Sequence, residues 1–304
     1  MEQFVVSRVI AIIIIMGLLW IVAYENLRIL CLAILRRKMS LSTKILWPSL
    51  AALVVICALD SVYIEPNWVQ VTHHTIQTYK LPAGSRVRVV QLSDLHVMDH
   101  GARETRVLRL TQKQQPDIIV LTGDYLNART PAARVVLLGL IRNLTRIAPV
   151  YAVGGNWEDY PDMEELVRVG AHYQMGWTEV TVKGNKFALG GQWWGTTSVV
   201  PYPPDYKPLF KVLLCHTPWS FSDAQRKGID LMLVGHTHGG QVRLPIFGTL
   251  MPIRSLIDEY QAGFYKKGHS LLYVSRGIGT ESIAPVRFWC RPEVAVFDIM
   301  GKEN

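Results

Sequence analysis

Strand-like runs that end in polar residues recur three times in the first half of the chain, and this pattern constrains the fold most. Residues 87–92 run into Ser93-Asp94-Leu95-His96, residues 117–122 into Gly123-Asp124, and residues 150–153 into Gly154-Gly155-Asn156. Helical patterns follow at residues 104–114, 131–145 and 161–173. Alternation of strand, polar loop and helix predicts an α/β fold.

The second half of the chain changes to short strands with few helices. Apolar runs with β-branched residues occupy residues 187–190, 212–215, 231–234, 271–275 and 294–298. They predict a second sheet packed on the first. Residues 68–78 alternate like an edge strand, so we predict a catalytic domain over residues 65–304.

Polar side chains also follow strands in the second half. His216 follows one run, and His236 and His238 follow another within Gly235-His236-Thr237-His238-Gly239-Gly240-Gln241. In an extended segment, residues i and i+2 point the same way, so both histidines can face one cavity. Because ligands of open α/β sheets bind beyond the carboxyl ends of the strands, the candidate site contains seven residues. They are Asp94, His96, Asp124, Asn156, His216, His236 and His238.

This donor set predicts a metal centre. Carboxylate, imidazole and amide groups without a thiolate favour Mn, Fe or Zn, and no Cys-x-x-Cys site or disulfide framework is readable from the four cysteines. Seven donors exceed the need of one catalytic ion but suit two ions that share a carboxylate. Two such ions can hold a phosphoryl oxygen and stabilise in-line displacement.

The N-terminal region predicts a membrane segment at residues 1–64. Uncharged apolar runs cover residues 9–24 and 45–59, each a little short of the ~20 residues that a spanning helix needs. Residues 4–7 and 61–64 can extend them. A spanning helical hairpin is the favoured interpretation, and helices in the membrane plane, or one span with a surface helix, are the alternatives.

The link between the two runs is basic and bears on topology. It holds Arg28, Arg36, Arg37, Lys38 and Lys44 against Glu25. By the positive-inside rule, a spanning hairpin places this link in the cytosol and the large domain outside. If the helices lie in the interface, the same charges bind anionic headgroups and the domain stays in the cytosol. The net charge of +8 includes no Lys/Arg block after Lys38, which argues against a nucleic-acid partner.

The motifs that contain the seven residues resemble, in order, those of the calcineurin-like metallophosphoesterase superfamily, over roughly residues 86–300. They are Asp94-x-His96, Gly123-Asp124, Gly155-Asn156, His216 and Gly235-His236-x-His238. Its membrane-associated bacterial branch is resembled by residues 235–241, 276–280, 285–288 and 291–293. The resemblance implies a two-sheet β-sandwich flanked by helices. It also implies that Asp94, His96 and His238 bind one metal, that Asn156, His216 and His236 bind the other, and that Asp124 bridges them. Mn is the favoured ion, with Fe or Zn as alternatives.

One residue departs from the family pattern. The family usually has a histidine after the Gly-Asn pair, where this chain has Trp157. Indole cannot give a proton to a leaving alkoxide, so general-acid help is absent unless a group such as His100 supplies it. A nucleotide leaving from a pyrophosphate bond needs little protonation. Hydrolysis of a pyrophosphate bond next to a membrane resembles the activity of the UDP-2,3-diacylglucosamine pyrophosphatases of lipid A synthesis, which release UMP and a lipid monophosphate, lipid X.

We therefore predict a metal-dependent hydrolase of phosphodiester or pyrophosphate bonds at the bacterial inner membrane, cytosolic if UDP-2,3-diacylglucosamine is the substrate. An outward-facing phosphoesterase acting on other cell-envelope lipids or phosphodiesters is the alternative within this class. A non-catalytic binding module of the same fold is the alternative of another class. Arg243 and Arg276 are candidates for binding phosphate oxygens, with Trp157 also near the substrate. A membrane lipid or nucleotide-linked glycolipid is the expected partner, and no protein partner is readable.

Overall fold

The computed structural model describes residues 2–99, 101–244, 248–250, 259–281 and 284–303, with side chains from residue 13 onward. Two helices come first, α1 (Glu2–Ile34) and α2 (Leu41–Leu59), and α2 continues through a π-turn (Asp60–Ile64) and a 3-10 turn (Glu65–Asn67). By length and composition, Ile13–Ile34 and Leu41–Asn67 could each cross a membrane. The Asn26 side chain donates to the Trp47 carbonyl at 3.0 Å, which joins the two helices.

The helices extend beyond the predicted apolar runs. Residues 27–34 are mostly apolar helix formers, so α1 continues through them and carries Arg28, which pairs with Glu25 at 2.9 Å. The basic link is therefore shorter than predicted, and Arg36, Arg37 and Lys38 lie in the turn between the helices. The predicted domain division at residues 64 and 65 falls inside the helical continuation of α2 and stays a prediction.

The rest of the chain alternates strands and helices. The first sheet contains β1 (Gln70–Thr78), β2 (Arg86–Leu92), β3 (Ile118–Thr122), β4 (Val150–Val153), β5 (His172–Tyr173) and β14 (Glu293–Gly301). Its helices are α3 (Ala102–Lys113), α4 (Pro131–Thr145) and α5 (Tyr160–Arg168). The second sheet contains β6 (Gly176–Val182), β7 (Asn185–Gly191), β8 (Phe210–Leu214), β9 (Leu231–Val234), β12 (Gly263–Lys267) and β13 (Ser270–Val274). Helix α6 (Phe221–Arg226) covers it, and β10 (Arg243–Leu244) and β11 (Gly248–Thr249) form a separate hairpin.

Both large sheets are mixed. The strand orders are β1-β14-β2-β3-β4-β5 and β12-β13-β9-β8-β7-β6. Strands β2 to β5 are parallel, as are β13, β9, β8 and β7, whereas β14 runs against β2 and β6 against β7. The predicted edge strand is β1. The predicted helix over residues 161–173 is wrong at its end, since α5 stops at Arg168 and Gly170, with φ +105°, leads into β5.

Alternate side chains of the strands separate two cores. Val87 and Val89 of β2 face Phe187 and Leu189 between the sheets, whereas Val90 and Leu92 face the helices α3 to α5. A third core lies between the second sheet and α6. The layers are thus helix, sheet, sheet and helix, which confirms the predicted sandwich of two mixed sheets flanked by helices.

Candidate metal centre

The seven predicted site residues lie together at one edge of the sandwich, beyond the carboxyl ends of five parallel strands. Asp94 and His96 follow β2, Asp124 follows β3, Asn156 follows β4, His216 follows β8, and His236 and His238 follow β9. The two sheets contribute from opposite sides, so residues far apart in sequence meet at this edge. This is the arrangement that parallel strands of an α/β fold produce.

The first group of donor atoms joins Asp94, His96, Asp124 and His238, all of them buried. The Nε2 atoms of His96 and His238 lie 3.1 Å apart. Asp94 Oδ1 lies 3.6 Å from His238 Nε2, and Asp124 Oδ2 lies 3.7 Å from His96 Nε2. Donor atoms that share one ion at about 2.0–2.2 Å lie about 3.0–3.6 Å from one another. The spacing therefore suits one metal ion.

The second group joins Asp124, His216 and His236, with Asn156 beside them. Asn156 Oδ1 lies 3.1 Å from His216 Nε2 and 3.0 Å from His236 Nδ1. His216 Nε2 also lies 3.1 Å from Asp124 Oδ2. The Nδ1 atom of His216 meets the Thr122 carbonyl oxygen at 2.7 Å, which fixes the ring and leaves Nε2 to face a cation. Asp124 belongs to both groups, and its predicted role as a bridging ligand stays a prediction.

The backbone at the site is in an unusual conformation. Asp94, His96, Asp124, His236 and His238 all have φ between 40° and 72°, the left-handed region that side chains disfavour. Glycine permits the close approach of the loops: a Cβ atom on Gly123, at φ +92°, would lie 2.7 Å from the Cα atom of Gly155. The glycines of the motifs thus bring the ligand loops of β3 and β4 into contact.

Glu158 holds the loop of Asp124 in place. Its buried carboxylate accepts hydrogen bonds from the backbone N–H groups of Asp124, Tyr125 and Gly155, each at 2.8 Å. The Trp157 N–H donates to Asp124 Oδ1 at 3.1 Å, so Oδ2 is directed to the histidines. These bonds connect the loops after β3 and β4 and set the position of Asp124.

Burial and neighbouring charges separate the pKa values of the site residues. Burial raises the pKa of Asp94 to about 7, and the neighbouring Asp124 adds to this. Burial lowers the pKa of His96 to about 4 and that of His238 well below its usual value. Burial also acts to lower the pKa of His216, but the Asp124 carboxylate outweighs it and raises the pKa to about 10. Strongly shifted groups gathered in one cluster are typical of a functional site.

The donor set fits two divalent ions. Asp94 Oδ2 is buried and has no hydrogen-bond partner among the residues that the structure describes, an arrangement that an adjacent cation would satisfy. Neutral imidazoles, two carboxylates and an amide are donors that borderline divalent ions accept. His96 and His238 already favour the neutral form that a metal requires. The cluster is therefore suited to binding metal ions, and the roles of its members as ligands stay predictions.

Two tryptophans flank the cluster. The ring of Trp157 lies edge-on to His96, with 5.7 Å between the ring centroids, and Trp219 lies at the same distance from His236. Trp157 is half-buried and Trp219 is 41% exposed. The position after Asn156 thus carries an apolar ring beside the first group of donors. His100, the alternative proton donor, lies outside the described residues.

Arg243 and Arg276 lie beside Gly239, which follows His238, rather than among the donor atoms. Both line a cavity of about 350 Å³, together with Trp289 and Glu293. Arg276 pairs with Glu293 at 2.9 Å, and Arg243 donates to the Gly239 carbonyl oxygen at 2.9 Å. Their role in substrate binding stays a prediction.

Sequence reasoning missed two acidic residues. Glu158 lies in Gly-Asn-Trp-Glu, where an acid just before a helix is typical of an ordinary N-terminal helix residue. Glu281 Oε1 lies 3.6 Å from His238 Nε2, and it follows Gly279-Thr280 in a stretch that the strand pattern does not cover. The one feature of the sequence that could have indicated Glu158 is its position two residues after Asn156.

Comparison with known proteins identifies the family. The calcineurin-like phosphoesterase family matches residues 87–240, half of the chain. The metallophosphoesterase YkuE of Bacillus subtilis is 29% identical over 258 residues, 78% of this chain and 87% of YkuE. The phosphodiesterase YaeI of Escherichia coli is 29% identical over 252 residues, 78% of this chain and 91% of YaeI.

One relative, from Danio rerio, is named as a transmembrane protein. It is called a transmembrane protein with metallophosphoesterase domain, and it is 27% identical over 271 residues, 79% of this chain and 60% of its own length. All three names agree with the ordered motifs and with the donor cluster. The chain belongs to the calcineurin-like phosphoesterase family and is a metal-dependent phosphoester hydrolase.

Proposed function

We propose that the protein is a dinuclear metal hydrolase of phosphodiester or pyrophosphate bonds at the bacterial inner membrane. The favoured substrate is UDP-2,3-diacylglucosamine, which it converts to UMP and lipid X in lipid A synthesis. The observation that carries the proposal is the pair of donor groups that share Asp124. Asp94, His96 and His238 would hold one ion, and Asn156, His216 and His236 the other, with Mn the favoured ion.

The chemistry of such a site comes from two sources. Two bound divalent ions supply positive charge for the phosphoryl oxygens and make water a better nucleophile at neutral pH. The chain supplies the geometry: Glu158 and the Trp157 N–H orient Asp124, and the Thr122 carbonyl orients His216. These bonds fix the orientation of the donor groups, which favours binding of a phosphoryl group in one geometry.

Trp157 supports a substrate with a good leaving group. Its indole ring lies beside His96 at the place where relatives usually carry a histidine, and it cannot transfer a proton to a departing oxygen. A uridine monophosphate leaving from a pyrophosphate is stable as an anion. The cleavage of a pyrophosphate thus depends less on a general acid than the cleavage of an alkyl diester does.

The position of the N-terminal helices supports action on a lipid. The segment Leu41–Asn67, long and apolar enough to cross a membrane, leads directly into β1 at Gln70. Gln70 pairs with Glu293 at the start of β14, beside the edge that carries the site. A membrane that holds this segment would lie near the donor cluster. A cytosolic domain is required for this substrate.

An outward-facing phosphoesterase acting on other envelope lipids or phosphodiesters is the second candidate. The turn between the helices carries Arg36, Arg37 and Lys38, and the positive-inside rule then favours an outward domain. The name of YaeI, a phosphodiesterase, also agrees with this candidate.

The test uses the full-length protein, purified in detergent with Mn, and UDP-2,3-diacylglucosamine as substrate. We expect release of UMP by the native chain and none by Asp124→Ala. Cleavage of a generic aryl phosphodiester without any release of UMP would reject the favoured substrate and support the second candidate. Labelling of single cysteines placed in the turn at residues 35–40 and near residue 303 then determines which side of the membrane each occupies.

A further inference from the structure

A second cavity, of about 280 Å³, lies where the second apolar helix meets the catalytic domain. Its lining residues are Ile64, Asn67, Trp68 and Arg106. The first three belong to the helical continuation of α2 or follow it directly, and Arg106 projects from α3. None of them is a candidate metal ligand, and the cavity is distinct from the one lined by Arg243 and Arg276.

The cavity presents positive charge. Arg106 lines the cavity and is exposed. Arg291 is not a lining residue, but its guanidinium stacks on the ring of Trp68, which is one, at 3.7 Å from the ring centroid. Within the described part of the chain, neither arginine has an ion-pair partner. The acids near these residues in sequence are buried and already paired: Glu104 with Arg103 and Glu293 with Arg276, each at 2.9 Å. The buried carboxylate of Glu65 accepts a hydrogen bond from the Cys290 N–H. Asp60 lies one turn earlier in the helix and does not line the cavity.

The part of this cavity that the end of the second helix forms carries exposed apolar and aromatic side chains. Ile64 is 53% exposed and Trp68 is 46% exposed, and Tyr63 beside them is 68% exposed. Exposed tryptophan and tyrosine at the end of a membrane-length helix are typical of the level of lipid headgroups. Arginine beside them can bind a phosphate by paired N–H donors. Apolar and cationic groups at one place match a ligand that is itself amphipathic.

We propose that this cavity binds the headgroup of an anionic phospholipid, with its phosphate at Arg106 and beside the Trp68 ring on which Arg291 stacks, and with its acyl chains along Ile64 and the preceding helix. The inference rests on the membrane attachment proposed above. It goes beyond it by assigning a lipid site outside the metal centre. A free anion would gain nothing from the exposed apolar surface, which is why a lipid is the expected source of the phosphate.

Hydrogen bonds link the end of the second helix, beside the cavity, to the candidate metal centre. Glu65 holds the Cys290 N–H, and the Cys290 thiol donates to the His238 carbonyl oxygen at 3.3 Å. Two contacts therefore separate the foot of the helix from a candidate metal ligand. A headgroup held by Arg106 and Arg291 keeps this edge of the domain against the lipid surface, where a lipid substrate reaches the metal centre.

The experiment measures lipid binding by native mass spectrometry of the full-length protein in neutral detergent. Phosphatidylglycerol and phosphatidylcholine are the probes, and the variants are Arg106→Gln and Arg291→Gln. Arg109→Gln is the matched control, since Arg109 is exposed on the same helix and does not line the cavity. We expect preferential retention of phosphatidylglycerol by the native chain. Arg106→Gln and Arg291→Gln should each weaken it about fivefold, the effect of one basic residue near an anionic headgroup, and the control less than twofold.

Several outcomes would overturn the proposal. Equal losses in Arg109→Gln and Arg106→Gln would mean that general surface charge, and not the cavity, attracts the lipid. Displacement of phosphatidylglycerol by millimolar inorganic phosphate would mean that the site takes any anion. Melting temperatures in detergent show whether each variant is folded, and Arg291→Lys, which keeps the charge, should restore part of the binding. Recovery of the native chain in the soluble fraction of cells would instead reject the membrane attachment itself.

Discussion

Replacing Glu158 with glutamine is expected to loosen the loop that carries Asp124, the residue shared by both donor groups. The native carboxylate accepts three backbone N–H groups at 2.8 Å, two at Oε2 and one at Oε1. Glutamine has the same shape but one acceptor oxygen. If that oxygen takes the place of Oε2, the bonds from Asp124 and Gly155 remain, and the Tyr125 N–H faces an amide N–H instead.

The size of the effect follows from this single lost acceptor. A buried N–H left without a partner costs about 1–3 kcal/mol. In a domain of this size each kcal/mol lowers the melting temperature by about 2–4 °C, so the expected decrease is about 2–12 °C. Metal affinity should fall about 10- to 100-fold, the usual cost of losing a group that orients a ligand.

Thermal unfolding and calorimetric titration with Mn, both on the full-length protein in detergent, measure the two effects. Glu164→Gln is the control. Glu164 is exposed on α5, the helix that follows the loop of Glu158, and its only ion pair among the described residues is a weak one with Arg168, at 3.4 Å. If Glu158→Gln matched Glu164→Gln in both melting temperature and Mn affinity, Glu158 would not position Asp124 and the reasoning would be refuted.

Three further predictions concern the metal centre. Asp124→Ala should lose both metals and nearly all turnover, measured by elemental analysis and an aryl phosphodiester assay; one retained metal ion would contradict the bridging position. Trp157→His should accelerate alkyl phosphodiesters more than pyrophosphates, by up to the 10²–10⁴-fold that a general acid provides, and equal changes in kcat for the two substrates would leave Trp157 as a packing residue. Metal binding at pH 7 should release about one to two protons, because the pKa of Asp94 is about 7 and that of His216 about 10 in the metal-free protein. Affinity should therefore fall as the pH falls, and calorimetry in two buffers of different ionisation enthalpy would disprove this if it detected no proton release.

Much of the site follows from the sequence because strand ends are easy to locate. Asp94, Asp124 and Asn156 each follow an apolar run, and parallel strands bring such ends to one edge. Glu158 could not be found in this way, since its role depends on backbone N–H groups of another loop. That interaction is set by the close approach of loops, which leaves no periodic signal in the sequence.

The fold was predicted where the strands are buried on both faces and missed where they are short or polar. Strand β6 (Gly176–Val182) has exposed threonine and glutamate, and β12 (Gly263–Lys267) ends in two adjacent lysines, so neither forms an apolar run. The helical hairpin was predicted with ends too short, because Glu25 and Arg28 interrupt the apolar pattern although they pair within α1. The predicted end of the first helix therefore rested on these two charged residues, whereas α1 continues past them to Ile34.

The left-handed backbone at five of the seven candidate ligands ties the lifetime of the protein to its metal supply. Each such conformation costs on the order of 1 kcal/mol and persists only when the surroundings enforce it. Bound ions would hold the donor side chains at their present spacing and so help to enforce this backbone. Starving a cell of the ion should therefore shorten the half-life of the protein as well as stop its chemistry, so that its abundance reports on the ion available to it.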